Sequence, residues 1–384
     1  MNYYLYAFGS NGESQLGLGN ACDKVQQPML VPNSPLPSRK QEQGFRSITG
    51  GGNHTLIQTY SGDVWAAGSN EDGQLGYWVK QVEKYSKEGK RLIEFDKLWH
   101  KISFCAAGLH STALIQNEFT EHNKTGEAAL YTVGRASFSE LARGPEKMTT
   151  PSGVVDVGFP APIVDLAAGN WHHVAVLDNG EVWGWGKSQS GQLGGKLAKR
   201  PVDTPNKIEE VTFKAKRAVC GCEFTYIVGD PSSGEHVVLG SNRHGLQSKM
   251  PADAKDWIDI GATWNAIFVL KQDGQLEAWG KENQWILVPE DLPLITKIAV
   301  GSDHILALTE ERKLIAWGWA THGNCGDASE LQNVNGFLKG KWNEIDIPGD
   351  IRLIGAGHST SFVLTACESP AVGQVHSDLE TSAE

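Results

Sequence analysis

One short phrase recurs seven times in this chain, and a sequence built from one repeated unit is restricted to folds that stack copies of that unit. The phrase is a Gly or Ala and two variable positions, often followed by His, then an apolar run. Its copies are Gly51-Gly-Asn-His54, Ala107-Gly-Leu-His110, Gly169-Asn-Trp-His172, Gly221-Cys-Glu-Phe224, Ala262-Thr-Trp-Asn265, Gly301-Ser-Asp-His304 and Ala356-Gly-His-Ser359. A second phrase ends a strand on Gly at Phe8-Gly9, Ala67-Gly68, Val133-Gly134, Trp185-Gly186, Leu239-Gly240, Trp279-Gly280 and Trp317-Gly318. Between the two lie apolar runs joined by turn dipeptides such as Ser61-Gly62, Asn179-Gly180 and Asp273-Gly274, which is the signature of hairpins.

Six units read in the order first phrase, strand, turn, strand, Gly. The seventh is split. Residues 351–365 carry a first phrase with no Gly-ended strand after it, and residues 3–9 form a Gly-ended strand with no partner before it. Joining them completes a seventh unit and removes two exposed sheet edges. The expectation is therefore an all-β chain: a seven-bladed β-propeller over residues 1–366, closed by pairing the N-terminal strand with the last blade. Residues 77–99, 116–128, 137–153 and 196–216 are expected as polar surface insertions. Residues 367–384 are expected as a disordered acidic tail.

The 44 Gly and 13 Trp suit many tight turns between aromatic-anchored strands. A formal net charge of -11 argues against direct binding of nucleic acid. No segment reaches the roughly 18 apolar residues of a membrane span, and the N-terminus lacks a leader pattern, so a soluble intracellular protein is expected. The cysteines (Cys22, Cys105, Cys220, Cys222, Cys325, Cys367) are scattered. They make one C-x-C and no C-x-x-C pair, which indicates neither a zinc site nor a disulfide framework.

The loop phrases Gly9-Ser-Asn-Gly-Glu-Ser-Gln-Leu-Gly17, Gly68-Ser-Asn-Glu-Asp-Gly-Gln-Leu-Gly76 and Gly186-Lys-Ser-Gln-Ser-Gly-Gln-Leu-Gly194, with the repeats above, resemble the regulator of chromosome condensation repeat family. The likeness covers residues 1 to about 366. Members of that family serve as exchange factors, ubiquitin-ligase modules or adaptors, so fold alone does not assign function. A narrower likeness is to its fungal alpha-tubulin suppressor, or killer-toxin-insensitivity, branch. It rests on Tyr6-Ala-Phe-Gly-Ser-Asn-Gly, Gln15-Leu-Gly-Leu-Gly19, Gly51-Gly-Asn-His54 and Ala316-Trp-Gly-Trp-Ala-Thr-His-Gly-Asn-Cys-Gly326. The middle units agree with that branch only in pattern, and the insertions here are longer.

That resemblance implies a non-enzymatic adaptor without a cofactor, cytoplasmic and nuclear. Its implied partner is diphthamide biosynthesis protein 3, a small metal-binding electron carrier, held as a heterodimer. The pair would support diphthamide formation on elongation factor 2 and Elongator-dependent modification of wobble uridine in transfer RNA, with Elongator as a further partner. The alternative is a guanine-nucleotide exchange factor for a small GTPase, which needs a wedge among the insertions. An enzyme with its site at the propeller mouth is a third class.

The recurring His54, His110, His172 and His304 invite a metal reading. Recurrence once per unit argues instead for a hydrogen bond that ties down a local turn, and Phe224 and Asn265 in the same slot would break a metal ring. Residues that vary between units are the better candidates for a specific partner surface: Trp171, Cys222, Glu223, Trp264, Asp303, Trp319 and His322. Packing of each indole between blades is the competing role. Cys220 and Cys222 could meet a partner's metal, or be buried structural thiols. The basic run Lys80, Lys84, Lys87, Lys90 and Arg91 reads as a solvated loop, with Tyr85 its one aromatic. No P-loop, Ser-His-Asp set or paired-carboxylate site emerges, so no catalytic or metal-binding residues are expected.

Overall fold

A computed structural model describes residues 2–20, 22–32, 44–76, 91–117, 128–144, 152–155, 157–282, 285–328, 330–331, 335–338 and 340–367. The acidic tail and most of the basic run lie outside the described residues, as do residues 118–127. Among the described residues the structure is all-β, with no α-helix and two single-turn 3-10 segments, Gly195–Leu197 and Arg243–Gly245.

The strands fall into small antiparallel groups. β1 (Asn2–Ser10) and β2 (Lys24–Leu30) join β25 (Asp350–Ala356) and β26 (Thr360–Cys367) in the order β2-β1-β26-β25. β3 (Phe45–Gly50), β4 (His54–Thr59), β5 (Val64–Ser69) and β6 (Arg91–Trp99) form the next group, joined to the first in one eight-stranded sheet by a single parallel pairing of Ala356 with Thr49. Then come β7 (Phe104–Ala107), β8 (Ser111–Gln116), β9 (Ala129–Gly134) and β10 (Ser152–Val155). β11 (Ile163–Ala168), β12 (His172–Leu177), β13 (Val182–Gly186) and β14 (Val202–Lys207) follow. Two three-stranded groups are β15 (Arg217–Cys220), β16 (Phe224–Val228) and β17 (His236–Gly240), and β18 (Trp257–Ala262), β19 (Ala266–Lys271) and β20 (Leu276–Gly280). The last holds β21 (Ile295–Val300), β22 (His304–Thr309), β23 (Leu314–Gly318) and β24 (Asn343–Ile345).

β1 pairs antiparallel with β26 in continuous register from Asn2 opposite Cys367 to Gly9 opposite Thr360. The first and last described strands thus share one sheet. The first strands β3, β7, β11, β15, β18, β21 and β25 line a common channel of about 620 Å³.

Burial follows position within each group. Second strands are inside: every residue of β8 and β12 is buried. Outer strands cover one face only, so β2 and β14 keep most side chains exposed or half-buried. This corrects the reading of residues 77–99 and 196–216 as insertions without strands. Their polar composition masks the outer strands β6 and β14, which need an apolar residue only on the covered face. The turn dipeptides behave as expected: Gly62, Gly180 and Gly274 have φ of 83°, 89° and 83° and donate back to Thr59, Leu177 and Lys271.

In three groups a tryptophan makes a tie to the group before it. The Nε1 of Trp185, Trp279 and Trp317 donates to the carbonyls of Glu140, Leu246 and Leu287, at 3.0, 2.9 and 2.8 Å. Each indole buries a large apolar body while its N–H stays satisfied.

The recurrent histidines do similar work, across longer distances than a local turn. His54 Nε2 lies 3.0 Å from Thr112 Oγ1, His172 Nε2 3.0 Å from Thr225 Oγ1 and His304 Nε2 3.0 Å from Ser361 Oγ, each hydroxyl belonging to the next group. Those hydroxyls donate to the carbonyls of Gln74, Gln192 and Asn324, so each accepts from the imidazole Nε2–H. The slot is defined by pairing with the Gly that ends the third strand. His54, Ser111, His172, Phe224, Ala266, His304 and Thr360 face Gly68, Gly134, Gly186, Gly240, Gly280, Gly318 and Gly9.

His110, Asn265 and Ser359 therefore stand one residue before the slot, a correction to the phrase as read from sequence. The fixed point is the residue three before the slot, which is Gly where the slot side chain is large. A Cβ on Gly51, Gly169, Gly221 or Gly301 would come within 2.3, 2.4, 2.1 or 2.2 Å of the ring of His54, His172, Phe224 or His304. Thr263 stands there only because Ala266 leaves room.

Candidate functional site

In every group the first strand ends, the second begins and the third ends at the same edge. The slot loops and the Gln-Leu-Gly loops therefore gather on one face, here called the rim. Backbone hydrogen bonds run around it in one sense: Gly52 N to Leu109 O, Leu109 N to Asn170 O, Cys222 N to Trp264 O, Trp264 N to Ser302 O, and Ser302 N to His358 O. The Asn170 amide bridges to Cys222 Sγ at 3.4 Å. Variable side chains are thus mounted on a fixed collar.

All seven residues proposed from sequence lie on one arc of the rim, five in the slot loops of the collar and Trp319 and His322 in the loop after β23. Trp171 packs edge-on against Phe138, with centroids 5.7 Å apart. Lys187 Nζ sits 4.5 Å from the Trp171 ring and 5.4 Å from Phe138, and pairs with Glu223 at 2.8 Å. A desolvated cation over two rings is a strong local contact, worth up to about 2 kcal/mol. The bond from Lys187 holds the Glu223 carboxyl below its ordinary range, while burial raises the Cys222 thiol. Raised in this way, Cys222 is a poor thiolate at neutral pH.

Further along, Trp264 meets His358 edge-on at 5.3 Å, and its Nε1 is buried with no hydrogen-bond partner among the described residues. Burial drives His358 down to about 4 and Asp303 up to about 6, the latter partly offset by Lys281. Asp303 O accepts from Trp319 N at 2.7 Å, and Trp319 stacks edge-on with His322 at 4.8 Å. Burial, followed by Lys24, lowers His322.

Among the described residues no group of three or more His, Cys, Asp or Glu could hold a metal ion. Cys220 is separated from Cys222 in role: it lines the channel, and burial pushes its thiol to about 12. Sequence reasoning missed Phe138, Asn170, Lys187 and His358. Only Phe138 left a signal, because its loop, Arg135-Ala-Ser-Phe-Ser-Glu-Leu-Ala142, departs from the Gln-Leu-Gly pattern.

This architecture, small antiparallel sheets with a rim of repeated loops, defines a repeat protein whose specificity lies in what varies between copies. Comparison with known proteins finds a likeness in segments: models of the regulator of chromosome condensation (RCC1) repeat match residues 45–74, 163–192 and 295–324, and residues 4–58 and 179–228. The matched segments resemble the RCC1 repeat. It is 26% identical over 370 residues to an RCC1 repeat-containing protein of Schizosaccharomyces pombe, covering 94% of this chain and 98% of that one. It is 27% identical over 435 residues to the mouse secretion-regulating guanine nucleotide exchange factor, covering 96% and 84%.

Among solved structures, human WBSCR16 is similar at TM-score 0.72 and 16% identity, over 94% of this chain and 98% of that one. Prp20p of Saccharomyces cerevisiae, whose study concerns binding to Gsp1p and histones, is similar at TM-score 0.72 and 18% identity, over 96% and 93%. These likenesses carry the fold.

Proposed function

We propose that the chain is a seven-bladed RCC1-type propeller, closed by β1 on β26, that acts without catalysis as an adaptor for a small protein partner docked on the rim. The observation that carries this reading is the arc from Phe138 and Trp171 through Lys187, Cys222 and Glu223 to Trp264, Asp303, Trp319 and His322. Aromatic anchors beside paired and unpaired charges are the composition of binding hot spots. The seven first strands around one channel, and the collar that joins their ends, support the blade count and closure.

The partner proposed is diphthamide biosynthesis protein 3, a small metal-binding electron carrier bound as a heterodimer. Through it the protein would support diphthamide synthesis on elongation factor 2 and Elongator-dependent tRNA wobble uridine modification, in cytoplasm and nucleus. The acid groups and indoles of the arc suit a partner presenting basic and apolar groups around its metal region. Likeness to the mouse secretion-regulating guanine nucleotide exchange factor favours a second reading, exchange on a small GTPase.

Size-exclusion chromatography of the purified chain with that metalloprotein tests the first reading. A one-to-one complex weakened at least tenfold by Trp171→Ala or Lys187→Glu supports it. Failure to bind, with accelerated GDP release from a small GTPase, replaces it with the second.

A further inference from the structure

The channel mouth away from the rim differs from the rest of the channel. Counting back three residues from the one opposite the position after each slot, the first strands set one residue apiece around this mouth. Four successive groups supply Asp165, Arg217, Asp259 and Lys297, and the other three supply Leu353, Ser47 and Phe104. Two residues further in, no side chain is larger than Val219, and Gly261 and Gly355 have none. The mouth therefore opens into a chamber of small residues, and its volume of about 620 Å³ lies within the roughly 300–1,000 Å³ of small-molecule sites.

The charges at the mouth are not equivalent. Arg217 Nη1 pairs with Asp259 Oδ1 at 2.6 Å, and Asp165 Oδ2 accepts from Ala218 N at 2.9 Å. Burial raises the Asp165 carboxyl, while Arg217, the N–H groups of Ala218 and Leu166, and Arg46 draw it down. That half of the mouth is satisfied within itself. On the other half, Arg46 stands one residue before Ser47, its guanidinium 4.3 Å from the Phe104 ring centroid and its Nη1 donating to Ser103 O at 2.6 Å. Arg46 and Lys297 are both exposed, and among the described residues neither pairs with a carboxylate. In the order of the groups they flank Leu353, so two unneutralised cations share this half with one aliphatic and one aromatic side chain.

We propose that this half of the mouth binds a small organic anion. Its carboxylate or phosphate oxyanion is held by Arg46 and Lys297, and its ring-sized apolar body enters the chamber beside Leu353 and Phe104. A guanidinium offers several N–H donors in one plane, which suits two oxygens of a single oxyanion, and the ammonium adds a point charge. A chain of formal net charge -11 repels extended polyanions, whereas a small ligand meets only the local cations. The site lies at the end of the channel opposite the rim, so it does not rest on the adaptor reading.

Saturation-transfer NMR of the full chain with phenyl phosphate, with benzoate and with uncharged benzyl alcohol tests it. The expected result is saturable binding of one or both anions, at least tenfold tighter than the alcohol, and the tighter anion identifies the preferred oxyanion. Lys297→Glu, at an exposed position, should weaken that binding at least tenfold, as should Arg46→Gln. Lys199→Glu makes the same charge change at an exposed loop position and should leave it unaltered. Binding of neither anion, equal binding of the alcohol, undiminished affinity in Lys297→Glu, or equal weakening in Lys199→Glu overturns the proposal.

Discussion

His173 Nε2 reaches Ser111 Oγ at 3.1 Å across two adjoining sheets, and it repeats the His54–Thr112 contact with the two ends exchanged. At this interface the slot holds the hydroxyl and the next group holds the imidazole. Gly108, three before Ser111, leaves the space a larger slot residue needs. Ser111→His or His173→Thr alone should therefore destabilise the protein by about 1–3 kcal/mol, since each leaves a buried polar group unmatched. The double variant should recover most of that loss, short of the stacking of His173 on Trp185 at 5.4 Å. Urea denaturation of the three variants measures the coupling, and additive losses would refute it.

Acid should unfold the protein through these same histidines. Burial lowers His54, His172, His173 and His304 from 6.5 to about 3, and the Nδ1 of each is buried without a partner among the described residues. A depressed folded value means the unfolded chain takes up protons first as pH falls. Stability is then complete above pH 6.5 and drains away toward pH 3. Thermal melts across that window should show a falling Tm, and His54→Gln should make the fall shallower.

Glu140 works in the opposite direction. It occupies the position of Gln15, Gln74 and Gln192, and its Oε2 accepts from Phe138 N as their side chains accept from Glu13, Asp72 and Ser190. Burial raises its carboxyl from 4.5 to about 7. Stability from this residue is fully present below pH 4.5 and lost as pH rises through about 7. Glu140→Gln should remove that dependence and stabilise the protein at pH 8 by on the order of 3 kcal/mol at most. An unchanged Tm at pH 8 would count against it.

Phe8 is fully buried on β1, next to the seam with β26. Phe8→Ala should cost about 3–5 kcal/mol, and hydrogen exchange should quicken first in β1 and β26 rather than uniformly. Uniform acceleration would show that the seam is no weaker than the rest.

Much of this was legible because the repeats carry their own registration. Asn179-Gly180 and Asp273-Gly274 fixed turns, and the unpaired Tyr3–Gly9 strand pointed to the last sheet, where β1 lies. What stayed hidden obeys other rules. Outer strands such as β14 bury one face and so read as polar insertions. His110 drew the phrase one residue early because imidazole is conspicuous, whereas the glycine beneath the slot is what geometry fixes. Lys187 follows a glycine in an unremarkable loop, and only folding places its ammonium between Trp171 and Glu223. The seven candidate residues were named singly, and their order along one arc comes from the collar.

Pairing Asn2 with Cys367 has a directional consequence. Asn2 and Cys367 both lie on the side away from the rim, so a tether fixed beside this pair suspends the molecule with its variable loops outward. A partner docked on the rim as proposed would then sit at the opposite pole from a tether, and neither would need to give way to the other.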